Sequence, residues 1–363
     1  MVFGAGASFD SVAPGSYPPD HLQVHEWREG HPPLASQLFE NRDLFTRAAN
    51  NFPLCKSVIG DLRLALTENP SVDIEAEIEQ MFAHSERYDP LRIGLAALRF
   101  YLQMILRQCE KIWLDGARGI TNYRALLHRL DRWRLENDEK ICLVTFNYDT
   151  LLESALGAVP GVAFNDLPDY VSGESGYYVI KPHGSVNWGR RVSGFRPEGN
   201  QYAVAEALCR GVGAFPLSDE REMLTDSMPD VVHSEGSTRY ALMPAIAIPT
   251  QTKNTFECPP EHVERLQECI RETDRLLIIG WRGTEKNFLA RWKDNHPAKM
   301  VVQIAAGSAD SARLVEHNLV DSGLAPREFL ITGTGFTQFL SARKIDELIA
   351  PEKWTVAPYT AES

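Results

Sequence analysis

The feature that most constrains the fold is an apolar run, Ile141–Phe146 (ICLVTF), that stops abruptly at Asn147-Tyr148-Asp149. It reads as a short buried strand, and Thr150–Leu156 behind it reads as a helix. A strand that ends in polar residues where a helix begins belongs to an open α/β sheet, whose ligands bind at the carboxyl ends of the strands. Tyr177–Lys181 repeats the pattern and ends at Pro182-His183-Gly184-Ser185.

The last third alternates in the same way. Helices are expected at Pro260–Glu272, Glu285–Lys293, Asp310–Asn318 and Phe336–Ile349, and strands at Arg275–Ile279, Met300–Ala305 and Phe329–Ile331. Such alternation predicts a Rossmann-like three-layer α/β/α fold with a parallel sheet. The chain opens with Val2-Phe3 and then Gly4-Ala5-Gly6-Ala7-Ser8. Glycines directly after a strand let the backbone approach a phosphate, and a following helix N-terminus favours its negative charge. That strand is short, with Met1 as its first residue, so either it is stunted or the natural start lies upstream.

Ser11–Pro33 reads as a long irregular loop, either a functional lid or a plain excursion. His21, His25 and His31 lack the spacing of metal ligands on one helix face. From Pro33 the pattern turns helical, with helices expected at Leu34–Asn50, Leu54–Thr67, Asp73–Arg87, Pro90–Leu114 and Thr121–Arg134. Asp73 suits an N-cap, and Ile74, Ile78, Met81 and Phe82 recur at the spacing of a core-facing stripe. Residues 34–135 are therefore read as a helical insertion between the first strands of a single domain spanning 1–363. Gly194–Gly236 reads as loops with one short helix. Ala241–Pro249 is apolar, but Pro244 and Pro249 suit strand ends or an edge strand.

At 363 residues the chain can bury a full core. A net charge of −12 argues against broad attraction to nucleic acid or anionic membrane, and Arg190, Arg191 and Arg196 read as a local basic patch or as a solvated loop. The most apolar helical stretch, Leu91–Trp113, is broken by Arg92, Arg99, Gln103 and Arg107, so no membrane span is expected. The six cysteines (55, 109, 142, 209, 258 and 269) form no C-x-x-C pair and no Cys/His metal spacing. Cys109 and Cys142 read as small buried hydrophobes. No metal is expected, and the cysteine usage fits a reducing cytoplasm.

Three strand-end motifs, Gly4–Ser8, Thr145–Asp149 and His183–Gly184, can converge on one crevice, with a fourth candidate at Ile279–Gly283. Together they resemble the sirtuin family, and more closely its prokaryotic sirtuin-like branch of NAD-cleaving enzymes. The signatures are a G-A-G-x-S loop, a T-x-N-x-D strand end and an H-G pair. Pro32–Phe39, Asp73-Ile74-Glu75, Lys181–Trp188 and Gly333–Leu340 also resemble that branch. The resemblance implies Asn147 and His183 as catalytic residues, with Gly4, Ala5, Gly6, Ser8, Thr145, Asp149, Gly184 and Gly280 binding NAD. The two C-x-x-C pairs of the sirtuin zinc module are missing, as is the G-I-P-D-F-R-like segment. What is implied is hydrolysis of NAD to nicotinamide and ADP-ribose, in an NAD-depleting effector of antiphage defence. Such an enzyme needs a gate, so a homo-oligomer or a partner protein is expected to control it.

The residues suit that chemistry on their own terms. Nicotinamide in NAD is already a cationic leaving group, so cleavage needs no general acid, and the transition state resembles an oxocarbenium ion. Asn147 can orient water or a ribose hydroxyl, and His183 can act as base. Asp149 can assist or can cap the following helix. Ser8 and Thr145 suit pocket walls or hydrogen-bond donors. Trp188 and Trp281 can stack on a base or simply pack in the core. The rival readings are an ADP-ribosyl transferase, a deacylase, or a module that binds NAD or ADP-ribose without turnover. A dehydrogenase fits poorly, because G-x-G-x-x-G is incomplete.

Overall fold

Strand β1 (Val2–Phe3) is two residues long, yet it occupies the middle of the main sheet. The computed structural model describes residues 1–12, 24–70, 72–225, 229–248, 256–293, 295–297 and 299–350. The further strands are β2 (Ile141–Thr145), β3 (Tyr177–Ile180), β4 (Gly184–Val192), β5 (Glu222–Met223) and β6 (Val232–Glu235). They are followed by β7 (Thr238–Ile246), β8 (Arg275–Ile279), β9 (Val301–Ala305) and β10 (Glu328–Thr332). Six of them form an all-parallel sheet in the order β10-β9-β8-β1-β2-β3. From β1 the chain builds outward through β2 and β3, then crosses back to β8 and builds outward the other way. The direction reverses between β1 and β8, where an open α/β sheet leaves a crevice.

β1 is held on both sides. Val2 and Phe3 pair with Val144 and Thr145 on one flank and with Ile278 and Ile279 on the other. The Val144 amide donates to Met1 O at 2.8 Å and the Phe146 amide to Phe3 O at 3.0 Å.

The helices are α1 (Ala5–Phe9), α2 (Val24–Glu29), α3 (Asp43–Asn51), α4 (Lys56–Glu68), α5 (Ile74–Ser85), α6 (Asp89–Ala117) and α7 (Asn122–Asn137). They continue with α8 (Leu151–Leu156), α9 (Gln201–Arg210), α10 (Pro260–Glu272), α11 (Lys286–Trp292), α12 (Ala309–Asp321), α13 (Gly335–Ser341) and α14 (Ile345–Ile349). Alternate strand residues face opposite layers, as the pleat requires. Phe3, Leu143, Leu277 and Ile279 pack with α7, α8, α13 and α14. Val2, Val144, Leu276 and Ile278 pack with α10, α11 and α12. Burial on both faces is why these strands read as continuous apolar runs. The three-layer α/β/α architecture expected from the sequence is the one observed.

A third core joins α3, α4, α5 and α6 to a second sheet. That sheet is antiparallel, in the order β5-β4-β7-β6. The loops expected at Gly194–Gly236 thus hold α9, β5 and β6. β7 pairs on both flanks, so Pro244 does not lie on an edge strand as expected. It is tolerated because β6 has already ended: β6 pairs only with Thr238–Ala241, while Pro244 sits opposite Gly189, beside a register shift in β4. The missing proline N–H falls where no strand lies to accept it. Arg190 and Arg191 lie in β4 rather than in a solvated loop, and Arg191 pairs with Glu222 and Glu235.

Other boundaries also differ. Leu34–Asn50 is not one helix: a 3-10 turn at Ala35–Gln37 precedes α3, and Leu38 and Phe39 in the break turn inward. Arg42 holds the break by donating to His31 O at 2.7 Å. The last helix divides into α13 and α14, because Arg343 adopts a left-handed φ of 57° between them. Of the expected loop Ser11–Pro33, residues 13–23 lie outside the described residues. Within the remainder is α2, whose Trp27 stacks on Trp113 at 4.1 Å between centroids. Cys142 is half-buried rather than fully buried. No described helix is long and apolar enough to cross a membrane.

Candidate active site

Two strand ends meet at Gly4, Gly6 and Gly280, and each glycine is demanded by backbone contact. A Cβ on Gly4 would lie 2.6 Å from Gly280 O, and one on Gly6 2.9 Å from Gly280 Cα. Gly280 has φ +61°, and a Cβ there would lie 2.3 Å from the Ala7 amide nitrogen. Both turns can therefore close only without side chains. Their amides are partly spent in doing so. Gly4 N donates to Ile279 O at 3.1 Å and Gly6 N to Gly280 O at 3.0 Å. The Ala5 amide, at the first position of α1, has no such partner among the described residues, as expected for the first N–H of a helix.

These turns form one wall of a cleft of about 830 Å³ at the switch point. Gly4, Ala5, Gly6, Ser8, Asn147, Asp149, His183 and Gly280 all line it. Thr145 and Gly184 do not. Thr145 is buried, and its Oγ1 accepts the Asn147 amide at 3.2 Å. Gly184 opens β4 with φ +80°, and its missing Cβ makes room for Ala245 O. Both residues shape the turns beneath the cleft. Trp281 lines the cleft with its ring stacked on Phe146 at 5.3 Å, whereas Trp188 is fully buried against Tyr170 and His262.

Asn147 ties the motifs together. Its Nδ2 donates to Gly4 O at 3.0 Å, to Ser8 Oγ at 2.8 Å and to Tyr123 OH at 3.3 Å. The amide hydrogens are thus committed to the protein, and Oδ1 is left as the acceptor available to the cleft. The His183 ring stands edge-on to Phe146 at 4.9 Å, and the histidine carbonyl accepts the Ala247 amide. The residue that follows β7 therefore positions the histidine through the backbone.

Asp149 combines both readings of it. It lines the cleft, and its Oδ1 accepts the Leu151 amide at 3.2 Å in the first turn of α8. Burial raises its carboxyl pKa, against the pull of Lys181 and the Ser8 hydroxyl. Behind it, Glu110 of α6 accepts both the Thr150 amide, at 2.7 Å, and the Thr150 hydroxyl. Burial first, and the charge of Asp149 second, push the Glu110 carboxyl up to about 7. Lys181 is wholly buried and donates to Glu153 Oε1 at 2.8 Å and to Asp149 O at 2.5 Å.

Sequence reasoning did not single out Tyr123, Glu110, Asp10 or Trp113. Asp10 accepts the Thr337 amide at 3.0 Å and so anchors α13 at the cleft, where Thr334, Gly335 and Phe336 join the lining. The GTGFTQFL stretch carried a signal for the latter. Tyr123, Glu110 and Trp113 sit on helices whose periodicity reports only packing. Among the described residues no three His, Cys, Asp or Glu side chains cluster as metal ligands. The chain matches no protein-family model, and no curated protein is significantly similar to it.

Proposed function

We propose that this cleft hydrolyses NAD at the nicotinamide–ribose bond, releasing nicotinamide and ADP-ribose. The observation that carries the reading is the fixed carboxamide of Asn147, held by Gly4 and Ser8 with its acceptor oxygen left to the cleft that His183 also lines. A volume of about 830 Å³ suits a dinucleotide. The glycine turns bring backbone to the cleft wall, and Trp281 and Phe146 offer aromatic surface. Carboxylates of Asp10, Glu75 and Glu285 line the same cleft and suit ribose hydroxyls, while Arg282 suits the diphosphate.

In this reading Asn147 Oδ1 orients the attacking water or a ribose hydroxyl, and His183 takes the proton. Asp149 adds negative potential beside the developing positive charge. An NAD-depleting role in antiphage defence within the cytoplasm, gated by self-association or by a partner protein, is part of the same proposal. The test is to incubate the purified protein with NAD and follow nicotinamide and ADP-ribose by chromatography, alone and with the products of neighbouring genes. Release of both products in equal amounts supports hydrolysis. Label from radioactive NAD on a macromolecule would indicate transfer, and a thermal shift with intact NAD would indicate a sensor.

A further inference from the structure

A second cavity, of about 240 Å³, lies between α5, α6, α9 and the second sheet, apart from the cleft. Its walls are apolar, with Leu95, Leu208, Phe215 and Met243 among them. One lining residue is out of place there. Arg99, midway along α6, forms no hydrogen bond or ion pair with any described residue, and its Nε is buried without an acceptor. The carboxylate that opposes its charge, Glu257, is shared with Arg190 and Arg221, at 3.8 and 3.6 Å. Three guanidinium groups thus draw on one carboxylate, and an anion in the cavity would give the buried Arg99 Nε the acceptor it lacks.

We propose that this cavity binds a small organic anion with an apolar body, a medium-chain carboxylate whose head group pairs with Arg99. Size and charge both favour that class. A cavity of roughly 150 Å³ accommodates benzene, so about ten heavy atoms fit here, which is the size of octanoate. The exposed Arg92 also lines the cavity, but Asp89 already pairs with it at 2.9 Å, which leaves Arg99 as the cation for the head group. Burial also depresses the Arg99 pKa, which a bound carboxylate would counter. The site does not depend on NAD chemistry, because none of its walls belongs to the cleft.

Calorimetric titration of the full chain with octanoate and with octan-1-ol tests the proposal. Octanoate should bind roughly tenfold tighter or more than the alcohol, since only it can form the charged pair. Arg99→Met should remove that preference while leaving octanol binding intact, and Leu208→Trp should fill the cavity and abolish both. Equal affinity for acid and alcohol in the native protein would overturn the assignment. So would undiminished octanoate binding by either variant. If Arg99→Met does not fold, the native comparison and Leu208→Trp decide the matter alone.

Discussion

The Asn147 carboxamide donates to the Ser8 hydroxyl at 2.8 Å, joining the end of β2 to the helix that follows β1. Gly4 O and Tyr123 OH complete the set of acceptors. Asn147→Ala should therefore cost about 1–3 kcal/mol of stability, because buried polar atoms lose their partner. It should also lower nicotinamide release at least about 100-fold. Urea denaturation and product analysis report the two effects separately, and a variant as active as the parent would refute the site assignment.

His183→Ala should separate binding from chemistry. Loss of a general base lowers kcat by roughly 10²–10⁴. NAD should still raise the Tm of the variant, since the glycine turns and Asn147 are untouched. Loss of the NAD-induced shift together with activity would make His183 a binding residue instead.

Gly280→Ala places a methyl group 2.3 Å from the Ala7 nitrogen at φ +61°. Strain and displacement together should destabilise the fold by roughly 2 kcal/mol or more. The urea midpoint is the measurement. An unchanged midpoint would show that the contact of α1 with the β8 turn is slack.

Glu110 should make stability fall as pH rises. Its folded pKa of about 7 stands above the usual 4.5, so the folded state holds the proton more tightly than the unfolded chain. The protonated group is therefore accommodated fully below pH 4.5. Between pH 4.5 and 7 the folded protein loses stability, by about 3 kcal/mol in total. Glu110→Gln should lessen this slope, leaving the part that the raised Asp149 carboxyl contributes. Denaturation of both proteins at pH 5 and pH 7.5 tests it, and parallel behaviour would count against the raised pKa.

Lys181 and Glu153 form a buried ion pair at 2.8 Å, with side chains 0% and 7% exposed. Lys181→Met should cost about 3–5 kcal/mol, because Glu153 is left charged and unmatched. Adding Glu153→Gln should recover much of that loss. If the double variant is no more stable than the single one, the lysine acts through its bond to Asp149 O instead.

The reading of the sequence succeeded where a local pattern carries the physics. Ile141–Thr145, Arg275–Ile279 and Val301–Ala305 are strands buried on both faces, so their apolar runs stand out without context. Asp73 accepts the Glu75 and Ala76 amides as the N-cap its position suggested. The reading failed where the pattern is interrupted by function or by a partner far away. Pro244 suggests a strand end or an edge for β7, and Gly184–Val192 does not read as a strand at all, because only the pairing of β4 with β7, with its register shift, accommodates the proline.

By itself, the sequence determined the strand–helix alternation, the parallel sheet and the strand ends that carry Gly4, Asn147 and His183. Side-chain periodicity and turn chemistry act over a few residues and can be read along the chain. Only the tertiary structure decided the strand order that places β1 beside β8. It alone showed that Thr145 and Gly184 lie beneath the cleft and that Glu110 and Tyr123 stand behind it. Those outcomes rest on contacts between residues such as Gly4 and Gly280, or Glu110 and Thr150. Such contacts follow from how layers pack, and no local spacing encodes them.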